Sequence, residues 1–242
     1  MKKRLNKLMS ERNICSRREA DKLIDKRWVK VNGEIVTQKG ILVSEDAKIE
    51  LVKEAQKEID TKVTILLNKP LGIVSTQPEK GYTPAIDLIT KENQIKKNEK
   101  RRFEKKDLIK LSCVGRLDID SKGLLVFTQD GVLAKKIISK DSNVEKEYLV
   151  RFTGNLTDEK LKKLRFGLSL DGKKLKKAKV KLLEDHLLKV ILIEGKKRQI
   201  RRMLEMVDLK VSSLKRVRIG KVCLSDLPAC KWRYLKKNES FF

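Results

Sequence analysis

The chain has 242 residues, of which 59 are Lys or Arg and 33 are Asp or Glu, giving a formal net charge of +26. That balance points to a polyanionic partner. Hydrophobic residues make up 40% of the chain, enough for a sizeable core, which excludes wholesale disorder and suits a small domain joined to a larger one. No segment approaches the ~18 uncharged apolar residues of a bilayer span, and Met1-Lys2-Lys3-Arg4 does not lead into the apolar core of a secretion signal. The lone histidine, His186, and the cysteines Cys15, Cys113, Cys223 and Cys230, with no Cys-x-x-Cys pair, argue against a metal site and for a reducing, cytoplasmic setting. The cysteines read as small buried hydrophobes, and His186 as a surface or turn residue.

Leu5, Leu8 and Met9 fall at helical spacing within residues 3–13. A second helix opens at Ser16, where Glu19 completes a capping box and Ala20, Leu23 and Ile24 form the apolar stripe. Trp28 to Val31, Asn32-Gly33 and Glu34 to Val36 spell two strands across a type I′ turn, and Lys48 to Leu51 alternates like a third. Together they predict a compact helix-pair-and-hairpin module over residues 1–52. Residues 53–62 carry charges on both sides of few apolar positions and read as a linker.

A larger domain, 63–242, follows. Val63 to Leu67 reads as a buried strand ending at Asn68-Lys69-Pro70, where Pro70 removes a backbone donor. Residues 91–110 are rich in Lys, Glu and Arg without sustained periodicity and read as a mobile basic insertion. Leu124 to Thr128 is another buried-strand run, Asp130-Gly131 turns it, and Leu133, Ile137 and Ile138 predict a helix. Strand signals recur at Tyr148 to Phe152, at Ala178/Val180/Leu182 and at Leu187 to Ile193, while Ile200, Met203, Leu204 and Val207 mark a helix face. Such irregular interleaving defines an α+β class. Trp28 and Trp232 read as core anchors.

Three segments carry chemistry. Arg17, Arg18 and Lys22 lie off the apolar stripe of the second helix, near Lys7 and Lys30, and such a face attracts phosphates by counterion release, although a merely solvated lysine-rich face reads the same way. Gly115-Arg116-Leu117-Asp118 is a glycine turn presenting a carboxylate beside an arginine, which by itself is also compatible with a simple turn-capping pair. In Gly195-Lys196-Lys197-Arg198-Gln199-Ile200-Arg201-Arg202-Met203 five basic residues crowd a helix start, where the macrodipole disfavours cations. A locally broken rule marks a site with a negative partner, for which the Asp118 carboxylate and an RNA phosphate are the candidates.

The run from Arg4 through Ser16-Arg17-Arg18-Glu19 to Val31-Asn32-Gly33 resembles the S4 RNA-binding domain. With Asn68-Lys69-Pro70-Leu71-Gly72, the Gly115-to-Leu125 block, Lys146-Glu147-Tyr148-Leu149-Val150 and Gly195-to-Met203, nearly the whole chain resembles the RsuA/RluB/RluE/RluF class of pseudouridine synthases. Glu145 to Tyr148, Arg198 to Met203, and Leu227-Pro228 followed by Trp232-Arg233 are most similar to the RluF branch, with Cys230 standing where that pattern has Gly. The resemblance implies an S4-like module before a larger synthase domain with a mixed, mainly antiparallel sheet and flanking helices. It implies isomerisation of uridine to pseudouridine in ribosomal RNA, 23S RNA or a precursor particle foremost, without a cofactor, by a cytoplasmic monomer.

By the same resemblance Asp118 is the catalytic aspartate, acting as nucleophile or proton abstractor. Either role needs an ionised carboxylate, which a neighbouring cation favours. Arg201 is its expected ion-pair partner, with Arg202 the alternative, and Ile200 packs near the base. Arg116 fills the gap left by a flipped uridine, Tyr148 stacks on the uracil and relays the C5 proton, and Lys69 shapes the cleft floor. Arg4, Lys7, Arg17, Arg18, Lys22, Lys30, Arg198 and Arg202 are the expected RNA contacts. Competing readings are a non-catalytic S4-type RNA-binding factor or chaperone, or a synthase acting on 16S RNA or tRNA. An S4 module on a methyltransferase would need a glycine-rich nucleotide loop, and the chain has no Gly-x-Gly. Double-stranded DNA binding lacks a recognition helix.

Overall fold

The computed structural model describes residues 1–76, 81–95, 101–139 and 141–242. Helices α1 (Leu5–Glu11) and α2 (Arg17–Asp25) pack together, and Ser16 caps α2 through the expected capping box with Glu19. Strands Val29–Val31 and Glu34–Ile35 pair across Asn32-Gly33, both with positive φ as a type I′ turn requires, and Ile49–Leu51 pairs on the other side. An additional pair, Lys2–Arg4 with Leu42–Ser44, closes the module.

The segment read as a linker instead forms helix α3 (Lys53–Asp60). Ala55 and Ile59, one turn apart, pack on the core of the N-terminal module, a stripe too short to stand out among the flanking charges. The two modules touch directly. Lys62 and Glu19 form an ion pair at 2.6 Å, and Gly131 lies so close that a Cβ there would meet the Ser16 Cβ at 2.8 Å.

The larger domain is built on β1 (Thr64–Lys69), β2 (Lys122–Thr128), β3 (Lys146–Thr153), β4 (Lys179–Glu184), β5 (Leu187–Leu192), β6 (Lys210–Ile219) and β7 (Trp232–Tyr234). Their order is β4-β5-β3-β6-β2-β1-β7, and short strands beside β2 and β6 bring the sheet to nine among the described residues. Only β6 and β2 run parallel within this path, so the sheet is mixed and mainly antiparallel, and the class is α+β. Alternation explains why β1 and β2 are buried on both sides. Ile65, Leu67, Leu125 and Phe127 join one core, while Leu66, Leu124 and Val126 join another. A further core lies under β3 to β6, covered by α5 (Asp158–Arg165) and α6 (Gln199–Glu205), and α4 (Gly131–Ile138), capped by Asp130, covers the β2 side.

Residues 91–95 and 101–110 of the supposed mobile insertion are tied to the core; 96–100 lie outside the described residues. The Ile95 amide donates to the Trp232 carbonyl at 2.8 Å, and Phe103 meets the fully buried Trp232 ring edge-on. Asp107, 1% exposed, accepts from the Tyr234 hydroxyl at 2.5 Å and from Arg101 at 2.6 Å. Local charge density masked a loop whose few apolar residues find long-range partners. Strand β1 also runs on through Asn68 and Lys69 before Pro70 ends it. Trp28 is only half-buried, with the Lys26 ammonium over its ring. Of the cysteines, Cys15 is buried, Cys113 and Cys230 are half-buried, and Cys223 is exposed at a sheet edge. His186 sits in the β4–β5 turn with positive φ.

Candidate active site

One register row crosses the middle of the sheet. Lys69 on β1 stands opposite Gly123 on β2, Gly123 opposite Arg216 on β6, and Arg216 opposite Tyr148 on β3. Residues directly opposite share a face, so the row lines Tyr148, Arg216 and Lys69 up beneath the loop that enters β2. Glycine is required in that row, because Gly123 has φ +106° and a Cβ would come within 2.2 Å of the Arg216 carbonyl oxygen.

The loop, Gly115 to Ser121, carries Asp118 and is fastened from all sides. The Ser75 hydroxyl donates to the Leu117 carbonyl at 2.6 Å and accepts from the Leu117 amide at 2.9 Å. The Gly72 amide donates to the Ile119 carbonyl, and the Asp118 carbonyl accepts from the Ser121 amide, both at 3.0 Å. Arg216 donates from Nε to the Leu124 carbonyl at 2.8 Å and from Nη1 to the Arg116 carbonyl at 3.4 Å. Among the described residues the Asp118 carboxylate itself makes no hydrogen bond or ion pair. It is half-buried and open to a ligand.

Arg201 does not pair with Asp118. Its Nε lies 3.2 Å from Asp120 Oδ2 and its Nη2 donates to the Asp120 carbonyl at 2.7 Å. Arg198 grips the same carboxylate with two bonds, at 3.2 and 3.0 Å. Arg202 turns away to a bidentate pair with Asp171. The negative partners of the crowded helix start are therefore Asp120 and Asp171. Burial works against ionisation of Asp120, but the Arg198 hydrogen bonds and the charges of Arg201 and Arg198 more than offset it, holding its pKa below the ordinary value.

Arg198 caps α6 in the left-handed conformation, and Gln199, 4% exposed, fixes the turn by accepting from the Lys196 amide and donating to Glu194. Ile200 is buried in the core beneath β3 to β6. Tyr148 is half-buried between that core and the one containing Leu117, its hydroxyl unbonded among the described residues. Arg116 is exposed and its guanidinium unpaired among the described residues. Lys69 is fully buried, its ammonium donating to the Pro70 and Ile73 carbonyls at 2.8 and 2.7 Å. Burial pushes its pKa down to about 8 against the pull of Asp120 and Asp118, with Arg216 adding to the depression.

The structure thus gathers Lys69, Arg116, Asp118, Tyr148, Arg198 and Arg201 around one loop, while Ile200 belongs to the core against which Tyr148 packs. Arg4, Lys7, Arg17, Arg18, Lys22 and Lys30 belong to the other module, all exposed except the half-buried Lys30, with Lys7 3.8 Å from Glu11. Sequence reasoning passed over Asp120 and Arg216. Asp120 sits two residues beyond Asp118, and Arg216 stands among Lys215 and Arg218 on a strand whose alternation is broken, so nothing local marks it. Among the described residues no cluster of His, Cys, Asp or Glu could hold a metal ion, and no helix is long and apolar enough to cross a membrane.

A mixed sheet whose entry loop carries an aspartate unpaired among the described residues, joined to a basic helix-and-hairpin module, suits an enzyme that works on RNA. Residues 63–206 match the family model for RNA pseudouridylate synthase, and residues 3–49 match that for the S4 domain. The chain is 38% identical over 237 residues to the dual-specificity RNA pseudouridine synthase RluF of Salmonella typhi, covering 98% of this chain and 76% of that protein. It is 34% identical over 220 residues to the ribosomal large subunit pseudouridine synthase B of Bacillus subtilis (strain 168), covering 88% and 84%. A crystal structure of a pseudouridylate synthase superposes with a TM-score of 0.65 at 27% identity, covering 97% of this chain and 96% of that one. The chain belongs to the RNA pseudouridine synthases.

Proposed function

We propose that this protein isomerises a specific uridine of large-subunit (23S) ribosomal RNA to pseudouridine, acting as a monomer in the cytoplasm. The observation that carries the assignment of the site is Asp118, an unpaired carboxylate on a loop fastened by Ser75, Gly72 and Arg216. Support for the target comes from the relatives, one of which is named for the ribosomal large subunit. The dual-specificity name of another favours a second RNA substrate at the same site.

In this reading the N-terminal module, bounded near residue 52, supplies phosphate contacts from Arg17, Arg18 and Lys22. The target nucleotide leaves its stack at a cost of a few kcal/mol, and the exposed Arg116 guanidinium takes its place. Asp118 enables rupture of the N1–C1′ bond, the uracil rotates on Tyr148, and C5 rejoins C1′. C5 loses its proton through the Tyr148 hydroxyl while N1 ends protonated, so atoms balance without a cofactor. Arg201 and Arg198 act through Asp120, holding the loop at the α6 start, and Ile200 backs the base.

The test is pseudouridine mapping of total RNA with and without the gene, then with Asp118→Asn supplied in trans. One large-subunit position should vanish and return only with the unaltered protein. An unchanged map overturns the proposal.

A further inference from the structure

Beside Tyr148 the sheet holds cations that no carboxylate pairs with among the described residues. Arg216 is 4% exposed, and while its Nε and Nη1 have carbonyl acceptors, its buried Nη2 has no hydrogen-bond partner among the described residues. Lys146 precedes Tyr148 by two residues on β3, so it shares the face of Tyr148 and of Arg216 opposite. Lys176 is exposed, on the segment that leads into β4, whose backbone is pinned to the α6 start. Its amide donates to Glu194 Oε1 at 3.0 Å, and the same oxygen accepts from Gln199 at 2.9 Å.

Lys146 is half-buried, and burial together with the charges of Arg216 and Lys176 lowers its pKa. Among the described residues no carboxylate pairs with Lys146, Arg216 or Lys176. Acids are not lacking nearby. Glu145 and Glu147 both bind Arg218, and Glu145 also binds Lys179. The strands therefore sort their charges, neutralising one set and leaving the set beside Tyr148 bare. Like charges gathered partly out of water raise the energy of the empty site, and an arriving anion recovers it.

We propose that Lys146, Arg216 and Lys176 form a phosphate pocket that seats a phosphodiester attached to the target uridine. The proposal rests on the synthase reading for the identity of the nucleotide. Uracil stacked on Tyr148 with its ribose toward Asp118 leaves the phosphate as the part of the nucleotide to face the cations. A phosphate offers acceptor oxygens to the vacant Arg216 donor and a charge to both ammoniums. The pocket holds the flipped nucleotide and touches neither bond that breaks nor bond that forms.

The experiment has a binding arm and a turnover arm, both on the full chain. In protein carrying 13C-labelled lysine, with Lys146 assigned by Lys146→Gln, uridine 5′-monophosphate and inorganic phosphate should shift the Lys146 resonance saturably. Uridine at equal concentration should leave it nearly unmoved, and Arg216→Lys should weaken nucleotide binding about tenfold. Under single turnover at saturating ribosomal RNA, Lys146→Gln should be about 10- to 100-fold slower and Lys146→Arg within about threefold of wild type, with overall RNA affinity little changed because many other phosphates remain. A Lys146 resonance indifferent to phosphate and nucleotide overturns the pocket, as does full-rate turnover by folded Lys146→Gln. Nucleotide binding by a protein that makes no pseudouridine would uphold the pocket and remove the synthase reading instead.

Discussion

Arg201 Nε lies 3.2 Å from Asp120 Oδ2, and Arg198 donates to both oxygens of the same carboxylate. The loop that carries Asp118 is thereby stapled to the start of α6 through its neighbour two residues on, and Asp118 is left unpaired among the described residues. Asp118→Asn tests that division of labour. It should lower pseudouridine formation by about 10³-fold or more, over ~4 kcal/mol of barrier, while RNA affinity stays within a few fold because one carboxylate contributes little to binding a polyanion. Single-turnover rates and filter binding on one RNA decide the matter.

Asp120→Ala should act differently. Arg201, 8% exposed, loses its carboxylate partner, so stability should fall by about 1–3 kcal/mol and the loop should lose its clamp. A lowered urea midpoint together with slower turnover is the expected pattern. A stable, fully active variant would reduce the clamp to a surface contact.

Tyr148→Phe keeps the ring and removes the hydroxyl. If that hydroxyl relays the C5 proton, glycosidic cleavage should persist while the final product accumulates about 10²-fold more slowly. Quenched single-turnover samples resolved by nucleoside chromatography distinguish the two steps.

Gly123→Ala should not yield a stable fold. The added methyl would meet the Arg216 carbonyl oxygen at 2.2 Å, at a φ of +106°, and separating β2 from β6 removes packing on both faces. A loss of more than about 3 kcal/mol is expected, read as loss of the cooperative thermal transition.

Acid should weaken the protein partly through Asp107. Burial opposes its ionisation, but the Tyr234 hydroxyl, the Glu104 amide and Arg101 outweigh that, so its folded pKa lies below the unfolded value near ~3.9. Its contribution is complete above that unfolded value and is lost as pH falls through the lower folded one. Asp107→Asn should therefore be less stable than wild type at neutral pH, with the gap narrowing as the pH falls below the unfolded value. Urea midpoints measured across that range supply the check.

Features set by near neighbours were legible in the sequence. The Ser16 to Glu19 box and the Asn32-Gly33 turn each need only a few consecutive residues, and the structure has both. Asp118 and Tyr148 were singled out through motifs, and the structure sets Tyr148 in the sheet row beneath the loop that carries Asp118. The role of Asp120 was not, because it depends on arginines 78 and 81 residues further along that arrive only once the sheet has formed. Arg216 was hidden for a related reason: β6 carries bulges that break its alternation, so its buried positions cannot be counted off. Helix α3 and the 101–110 segment were obscured by charge, their few apolar residues acquiring meaning only against distant partners.

The near contact of Gly131 with Ser16 sets the start of α4 against the start of α2, with the Lys62 to Glu19 pair beside it. A tether would let the basic module roam. On the proposed reading of the site, a seated joint turns it into a caliper, with one jaw at Arg17 and Arg18 and the other at Asp118. Such a tool measures how far a uridine lies from the stretch of RNA gripped by the first jaw, and a side chain added at position 131 would reset the gap without touching either jaw.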